Sequence, residues 1–351
     1  MGEHGLSRTI FIVGAGASAE MGYPLTRDLL FGLEPRLNSK LRNQFGRVVR
    51  FHCPMWDGRR ETLPNIEEFL TQLVANEDLL PVIRPTGPHF GLEELRQFRE
   101  DILLEIARWF HEIHHAKRDP SPIRDQLLQR IKDCENPVIM SFNWDYELDK
   151  AVFGKGPDLA DRLQIGYGAK TVASPGIVIL KPHGSLNWYL QKVGQHIKSD
   201  RVTLLWEPSD RNEKQFESIF CFLRWRGPKS SHGRRYVPWI VPPTHMKSFQ
   251  HPMLRGVWRR CAHSLGTASK VFFLGYSLPA ADWHARYIFR CGFYNDPEVP
   301  PRAGVRAKRA GSPEITVVNP DNGAFRRTEA VVGKNCNWIP LTVARWLAGG
   351  K

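Results

Sequence analysis

The patterned part of the chain opens with an uninterrupted apolar run, Thr9-Ile-Phe-Ile-Val13, which stops at Gly14. A short β-rich run bounded by glycine is what a strand buried on both faces requires. Similar runs recur at residues 137–140, 176–180, 270–274 and 314–318. Helical stretches lie between them, at residues 26–33, 145–153, 253–264 and 280–291. Strand alternating with helix predicts an α/β fold with a Rossmann-like, mostly parallel sheet flanked by helices.

Between the first and second runs the pattern changes. Residues 65–74 and 91–115 read as helices, the second with Ile102, Ile106, Phe110 and Ile113 at helical spacing. This predicts a mostly helical module inserted at residues 36–135, with residues 1–35 and 136–351 forming the sheet domain. Residues 206–237 are charged, polar and poorly periodic, and read as a long surface loop.

Composition narrows the classes. With 42% hydrophobic and 24% charged residues, the 351-residue chain is foldable rather than disordered. A net charge of +13 suits a polyanionic partner or a phosphate-bearing ligand. The six cysteines include no CxxC pair, which argues against a four-cysteine zinc site or a thioredoxin-type site. No basic-then-apolar leader opens the sequence and no run of about 18 apolar residues occurs. The chain therefore reads as cytoplasmic, with no membrane partner.

The first strand runs into Gly14-Ala-Gly-Ala-Ser18, and with Ala19 this fits the loose glycine-x-glycine-x-x-alanine fingerprint. Glycines there permit a tight turn and close approach to a pyrophosphate at a helix start. A conventional dehydrogenase would carry an acidic residue about 20 positions on, at the end of a second strand. Glu34 has the spacing but sits in no strand. Four more polar segments follow predicted strands: Ser141-Phe-Asn-Trp-Asp145, Lys181-Pro-His-Gly-Ser185, Gly275-Tyr-Ser277 and Val318-Asn-Pro320. Open α/β sheets place ligands at such strand ends. Each residue also has a plainer account: a turn for Ser277 and Asn319, a helix cap for Asn143, a hydrogen-bonded turn histidine for His183.

Taken in order, Gly14-Ala-Gly-Ala-Ser18, Gly22-Tyr-Pro24, Asn143 with Asp145, His183 with Gly184, Pro242 to Lys247 and Gly275-Tyr-Ser277 resemble the sirtuin-like superfamily, specifically its bacterial branch of NAD-cleaving antiphage defence proteins. The resemblance implies that NAD+ is the substrate, with no metal. It puts Gly14, Ala15, Gly16 and Ser18 at the pyrophosphate, and Asn143 and His183 at the nicotinamide ribose as catalytic residues. Gly275, Ser277 and Asn319 fall towards the adenosine end, and Asp145 supports the asparagine loop. It further implies an effector of abortive infection, controlled by homo-oligomerisation or by a partner such as a ring-forming ATPase. Zinc-bearing deacylases of the superfamily carry paired CxxC motifs, and after the proline they continue with aspartate, an aromatic residue and arginine. Here the cysteine pairs are missing and the proline is followed by Leu25-Thr26-Arg27. Both departures argue against deacylation, so NAD+ hydrolysis is the expected activity, with an NAD-dependent protein deacylase and a non-catalytic NAD or ADP-ribose sensor as the alternatives.

The residue types suit that chemistry. Departure of the cationic nicotinamide leaves an oxocarbenium-like ribose, so the site must orient the sugar, exclude bulk water and admit one nucleophile. An asparagine amide can orient a hydroxyl or a water, and a histidine can take its proton. Two other classes compete. His111-Glu-Ile-His-His115 fits the zinc-protease pattern, but its histidines flank the apolar stripe and no third ligand follows nearby. Residues 224–235 and 302–309 are basic, with Trp225 and Tyr236 available for stacking, and offer a nucleic-acid surface. A solvated basic surface is the better account of either run.

Overall fold

A computed structural model of the chain describes residues 8–83, 90–116, 122–153, 176–193, 196–204, 235–241, 252–293, 313–333 and 336–349. Its strands are β1 (Thr9–Val13), β2 (Val138–Ser141), β3 (Val178–Leu180), β4 (Gly184–Val193), β5 (His196–Leu204), β6 (Arg235–Ile240), β7 (Lys270–Leu274), β8 (Glu314–Val318) and β9 (Cys336–Ile339). Its α-helices are α1 (Ala15–Ala19), α2 (Leu29–Leu33), α3 (Ser39–His52), α4 (Ile66–Leu79), α5 (Leu92–Ala116), α6 (Pro122–Lys132), α7 (Glu147–Phe153), α8 (Pro252–Gly266), α9 (Trp283–Phe293), α10 (Asn322–Val332) and α11 (Val343–Leu347).

Packing divides the chain into two units, Met1–Met21 with Asp119–Gly184 and Phe249–Lys351, and Gly22–Arg118 with Ser185–Ser248. The first unit holds a six-stranded sheet in the order β3-β2-β1-β7-β8-β9, and every described pairing in it is parallel. Counted within the sheet, that order is 3-2-1-4-5-6, the doubly wound Rossmann arrangement. All five residues of β1 are buried, as a central strand covered on both faces demands. Burial of Ile10, Phe11 and Ile12 contributes about 1.5–3 kcal/mol each. Phe11 stacks on Phe272 of β7 with centroids 5.2 Å apart, and Phe273 meets Phe289 of α9 edge-on at 5.3 Å. The strand order reverses between β1 and β7, which puts the ligand crevice of such a sheet at their carboxyl ends.

The second unit packs helices α2 to α5 around Phe69, which contacts Phe45 and Phe98 with ring centroids 6.0 Å and 6.3 Å apart. Asn38 and Asn65 cap α3 and α4 by accepting from the N–H groups of Leu41 and Glu68. The expected stripe of α5 buries Ile102, Ile106 and Phe110. This unit also carries a three-stranded sheet, β5-β4-β6, that the hydrophobic pattern does not announce. The loop expected at 206–237 accordingly ends in a strand, because Arg235–Ile240 pairs into this sheet; residues 205–234 lie outside the described residues. The basic run 302–309 and the segment 242–247 lie outside them as well. Among the described residues no helix is long and apolar enough to cross a membrane, and no three His, Cys, Asp or Glu side chains gather as a metal site would need.

Candidate active site

The glycine turn after β1 packs backbone against backbone. Gly14 N–H donates to Leu274 O at 3.0 Å and Gly16 N–H to Gly275 O at 2.9 Å. A Cβ on Gly14 would strike Tyr276, and one on Gly16 would lie 2.9 Å from Gly275 Cα. Gly275 has φ +59° and presses on Ala17 N, so both its backbone region and its neighbours admit only glycine. The fingerprint thus joins the ends of the two strands that flank the switch point. Ala17 N–H donates to Gly14 O, while the N–H of Ala15 has no acceptor among the described residues.

Asn143 follows β2, and its side chain reaches back to this turn. Nδ2 donates to Gly14 O at 2.8 Å and to Ser18 Oγ at 2.9 Å, and Ser18 Oγ donates on to Asp145 Oδ2 at 2.8 Å. The direction of this relay is fixed by its end: a carboxylate only accepts, so the hydroxyl must donate to it and accept from the amide. Asn143 therefore keeps Oδ1 as its acceptor, and no described residue donates to it. The Ser18 hydroxyl, which the resemblance puts at the pyrophosphate, is buried inside this relay.

Lys181, two residues before His183, anchors the other side of the loop. It is fully buried, donates to Asp145 O, and lies 3.2 Å from Asp149 Oδ2 on α7. Burial pushes the Asp145 carboxyl above the usual range, opposed by the Lys181 ammonium and by the Ser18 hydroxyl. A carboxyl raised in the folded state stabilises the fold most below its unfolded pKa and loses that contribution as pH rises through the folded one.

His183 is buried and lies 3.0 Å by Nε2 from Asp282 Oδ2, the same oxygen that accepts from Tyr276 Oη at 2.7 Å. The Phe142 ring meets the imidazole edge-on at 5.0 Å and stacks on Tyr276 at 4.5 Å. Trp258 of α8 lies behind the histidine and donates to Pro182 O at 3.1 Å. The β2–β3 register aligns Met140 with Leu180, so Asn143 and His183 each stand three residues beyond a paired position on adjacent strands. The two predicted catalytic residues thus both follow adjacent strands at the carboxyl end of the sheet.

The remaining predicted residues reach the same edge. Asn319, after β8, donates its N–H to Ile339 O at 3.1 Å and accepts from Asp321 N by Oδ1 at 3.0 Å, a turn that leads into α10. Ser277, after β7, is exposed, and its carbonyl accepts from Arg327 Nε at 2.9 Å. Sequence reasoning missed Lys181, Tyr276 and Asp282 as members of the site. Asp282 begins a helix and accepts from Ala285 N at 3.4 Å, so in sequence it looks like an ordinary cap.

The sheet is a doubly wound, Rossmann-like fold, with a buried amide relay and an imidazole–carboxylate pair following its strands. No family model and no curated protein matches the chain. Among solved structures it is similar to a Sir2 homologue in complex with NAD, at 13% identity over 98% of this chain and 88% of that one, with a TM-score of 0.48. A Sir2 homologue mutant in complex with ADP-ribose is similar at 13% identity over 98% and 90%, with a TM-score of 0.47. A further likeness is to Sir2Tm bound to a propionylated peptide, at 13% identity over 97% and 90%, with a TM-score of 0.44.

Proposed function

We propose that the protein binds NAD+ and hydrolyses its nicotinamide–ribose bond, giving nicotinamide and ADP-ribose. The reading rests on one observation: an asparagine whose amide nitrogen is spent on Gly14 and Ser18 and whose oxygen is left for a substrate group, on the strand next to a buried histidine held by a carboxylate. In this reading the Gly14–Ala17 turn lies along the pyrophosphate, with the Ala15 N–H as its donor. Asn143 Oδ1 accepts from a ribose hydroxyl or from the incoming water and fixes its approach. As nicotinamide leaves with the bonding electrons, positive charge develops on the ribose. Water attacks the anomeric carbon, and His183 takes the proton that water gives up. Gly275, Ser277 and Asn319 lie towards the adenosine end, and Asp145 keeps the asparagine loop in place through Ser18.

The resemblance extends the proposal to biology. The protein is an effector of bacterial antiphage defence that depletes NAD+ once a signal, self-association or a partner such as a ring-forming ATPase releases it. The test is to incubate purified protein with NAD+, over a range of protein concentrations, and to follow nicotinamide by chromatography with and without an acetyl-lysine peptide. Release independent of the peptide, with ADP-ribose as co-product, is the expected result. Release only with the peptide identifies a deacylase; binding without release identifies a sensor.

A further inference from the structure

We propose that Asp282 is the positioning residue of His183: it fixes the tautomer of the imidazole and stabilises the imidazolium formed when the histidine takes a proton. The assignment rests on the reading of His183 as the base. Asp282 is fully buried, and its carboxylate is clamped on the histidine. Tyr276 Oη donates to Oδ2 at 2.7 Å, and Ala285 N–H approaches Oδ1 at 3.4 Å. Its backbone carbonyl accepts from Arg286 N–H at 3.1 Å, which sets Asp282 at the start of the 11-residue helix α9, where a negative charge is favoured. A carboxylate accepts only, so the atom facing it, His183 Nε2 at 3.0 Å, must carry a proton. That choice of tautomer, and the orientation of the ring, are what a buried aspartate contributes to a histidine base.

The surroundings single out this pair. Phe142, just after β2, meets the imidazole edge-on at 5.0 Å, Trp258 from α8 lies tilted against it at 6.4 Å, and His284 of α9 meets Trp258 at 6.1 Å. Tyr276 from the β7 turn reaches the carboxylate, and the nearby Lys181 ammonium is engaged on Asp149 and Asp145. Among the described residues the carboxylate paired with the imidazole is Asp282.

The test uses the full chain with Asp282→Asn and Tyr276→Phe. In Asp282→Asn, kcat for nicotinamide release should fall on the order of a hundredfold or more, while KM for NAD+ stays within about twofold, because Asp282 is not placed on the dinucleotide. The acid limb of the pH profile should move to lower pH, since an imidazolium without its carboxylate loses its proton more easily. Histidine-labelled NMR reads the same titration without turnover, with the His183 resonance assigned by its loss in His183→Gln. Its midpoint should fall by about one unit or more in Asp282→Asn. Tyr276→Phe keeps the ring on Phe142 and frees the carboxylate of one donor, so the midpoint should rise; this variant decides the matter if Asp282→Asn does not fold. An unchanged midpoint in a folded variant overturns the assignment. If the unaltered protein releases no nicotinamide, the proposed reaction fails, and the NMR midpoints still decide the role of Asp282.

Discussion

Replacing Asn143 with Ala should lower kcat for nicotinamide release by roughly 100- to 1000-fold, and replacing His183 with Ala by roughly 100- to 10,000-fold. The two act on one transition state. Asn143 presents a fixed oxygen to the group it orients, because its nitrogen is held by Gly14 O and Ser18 Oγ at 2.8 Å and 2.9 Å. Deleting the amide removes both the acceptor and the relay that links the β1 turn to Asp145. Deleting the imidazole removes the group that takes the proton from water. Residues that act as one unit lose their effect together, so the double variant should be little worse than the weaker single one. Kinetics at saturating NAD+, with unfolding curves to show that each variant is folded, check this. A loss below tenfold in either single variant would remove that residue from the reaction.

Lys181→Met should destabilise the fold by about 3–5 kcal/mol, the usual consequence of removing one member of a buried ion pair. The side chain is fully buried at the end of β3, and its ammonium joins Asp149 Oδ2, 3.2 Å away, to the carbonyl of Asp145. A methionine fills much the same volume but leaves the Asp149 carboxylate, 1% exposed, facing an apolar group. Pairing the change with Asp149→Asn should return part of the loss, because the charge left behind is then neutral. Urea unfolding followed by circular dichroism measures both variants, and a loss under about 1 kcal/mol for Lys181→Met would show that water reaches the pair.

The five strands read from the sequence are those richest in apolar residues, and they form the centre of the six-stranded sheet together with its β3 edge. The opposite edge strand, Cys-Asn-Trp-Ile at β9, mixes polar and apolar residues because it is only partly buried. The β5-β4-β6 sheet carries two lysines, two arginines, an aspartate and a histidine, which hid its strands in a charged stretch. The polar residues at the strand ends were legible one at a time, as Gly14, Asn143, His183 and Asn319 were. Their connections were not. Nothing local in Lys181 distinguishes a buried ammonium from a surface one, and Asp282 lies 99 positions from the histidine that it meets. Glycine-rich spacing suggested a phosphate cradle, yet the packing of Gly14 and Gly16 on Gly275 accounts for those glycines before any ligand enters. Only the register of parallel strands brings these positions to one edge.

The most direct measurement is a crystal structure of the unaltered protein grown with ADP-ribose, the product left after nicotinamide departs. The expected result places its terminal ribose within about 3.2 Å of Asn143 Oδ1, beside His183, with the pyrophosphate along the turn from Gly14 to Ala17. ADP-ribose bound elsewhere, or bound there with its terminal ribose out of reach of both side chains, would contradict the account.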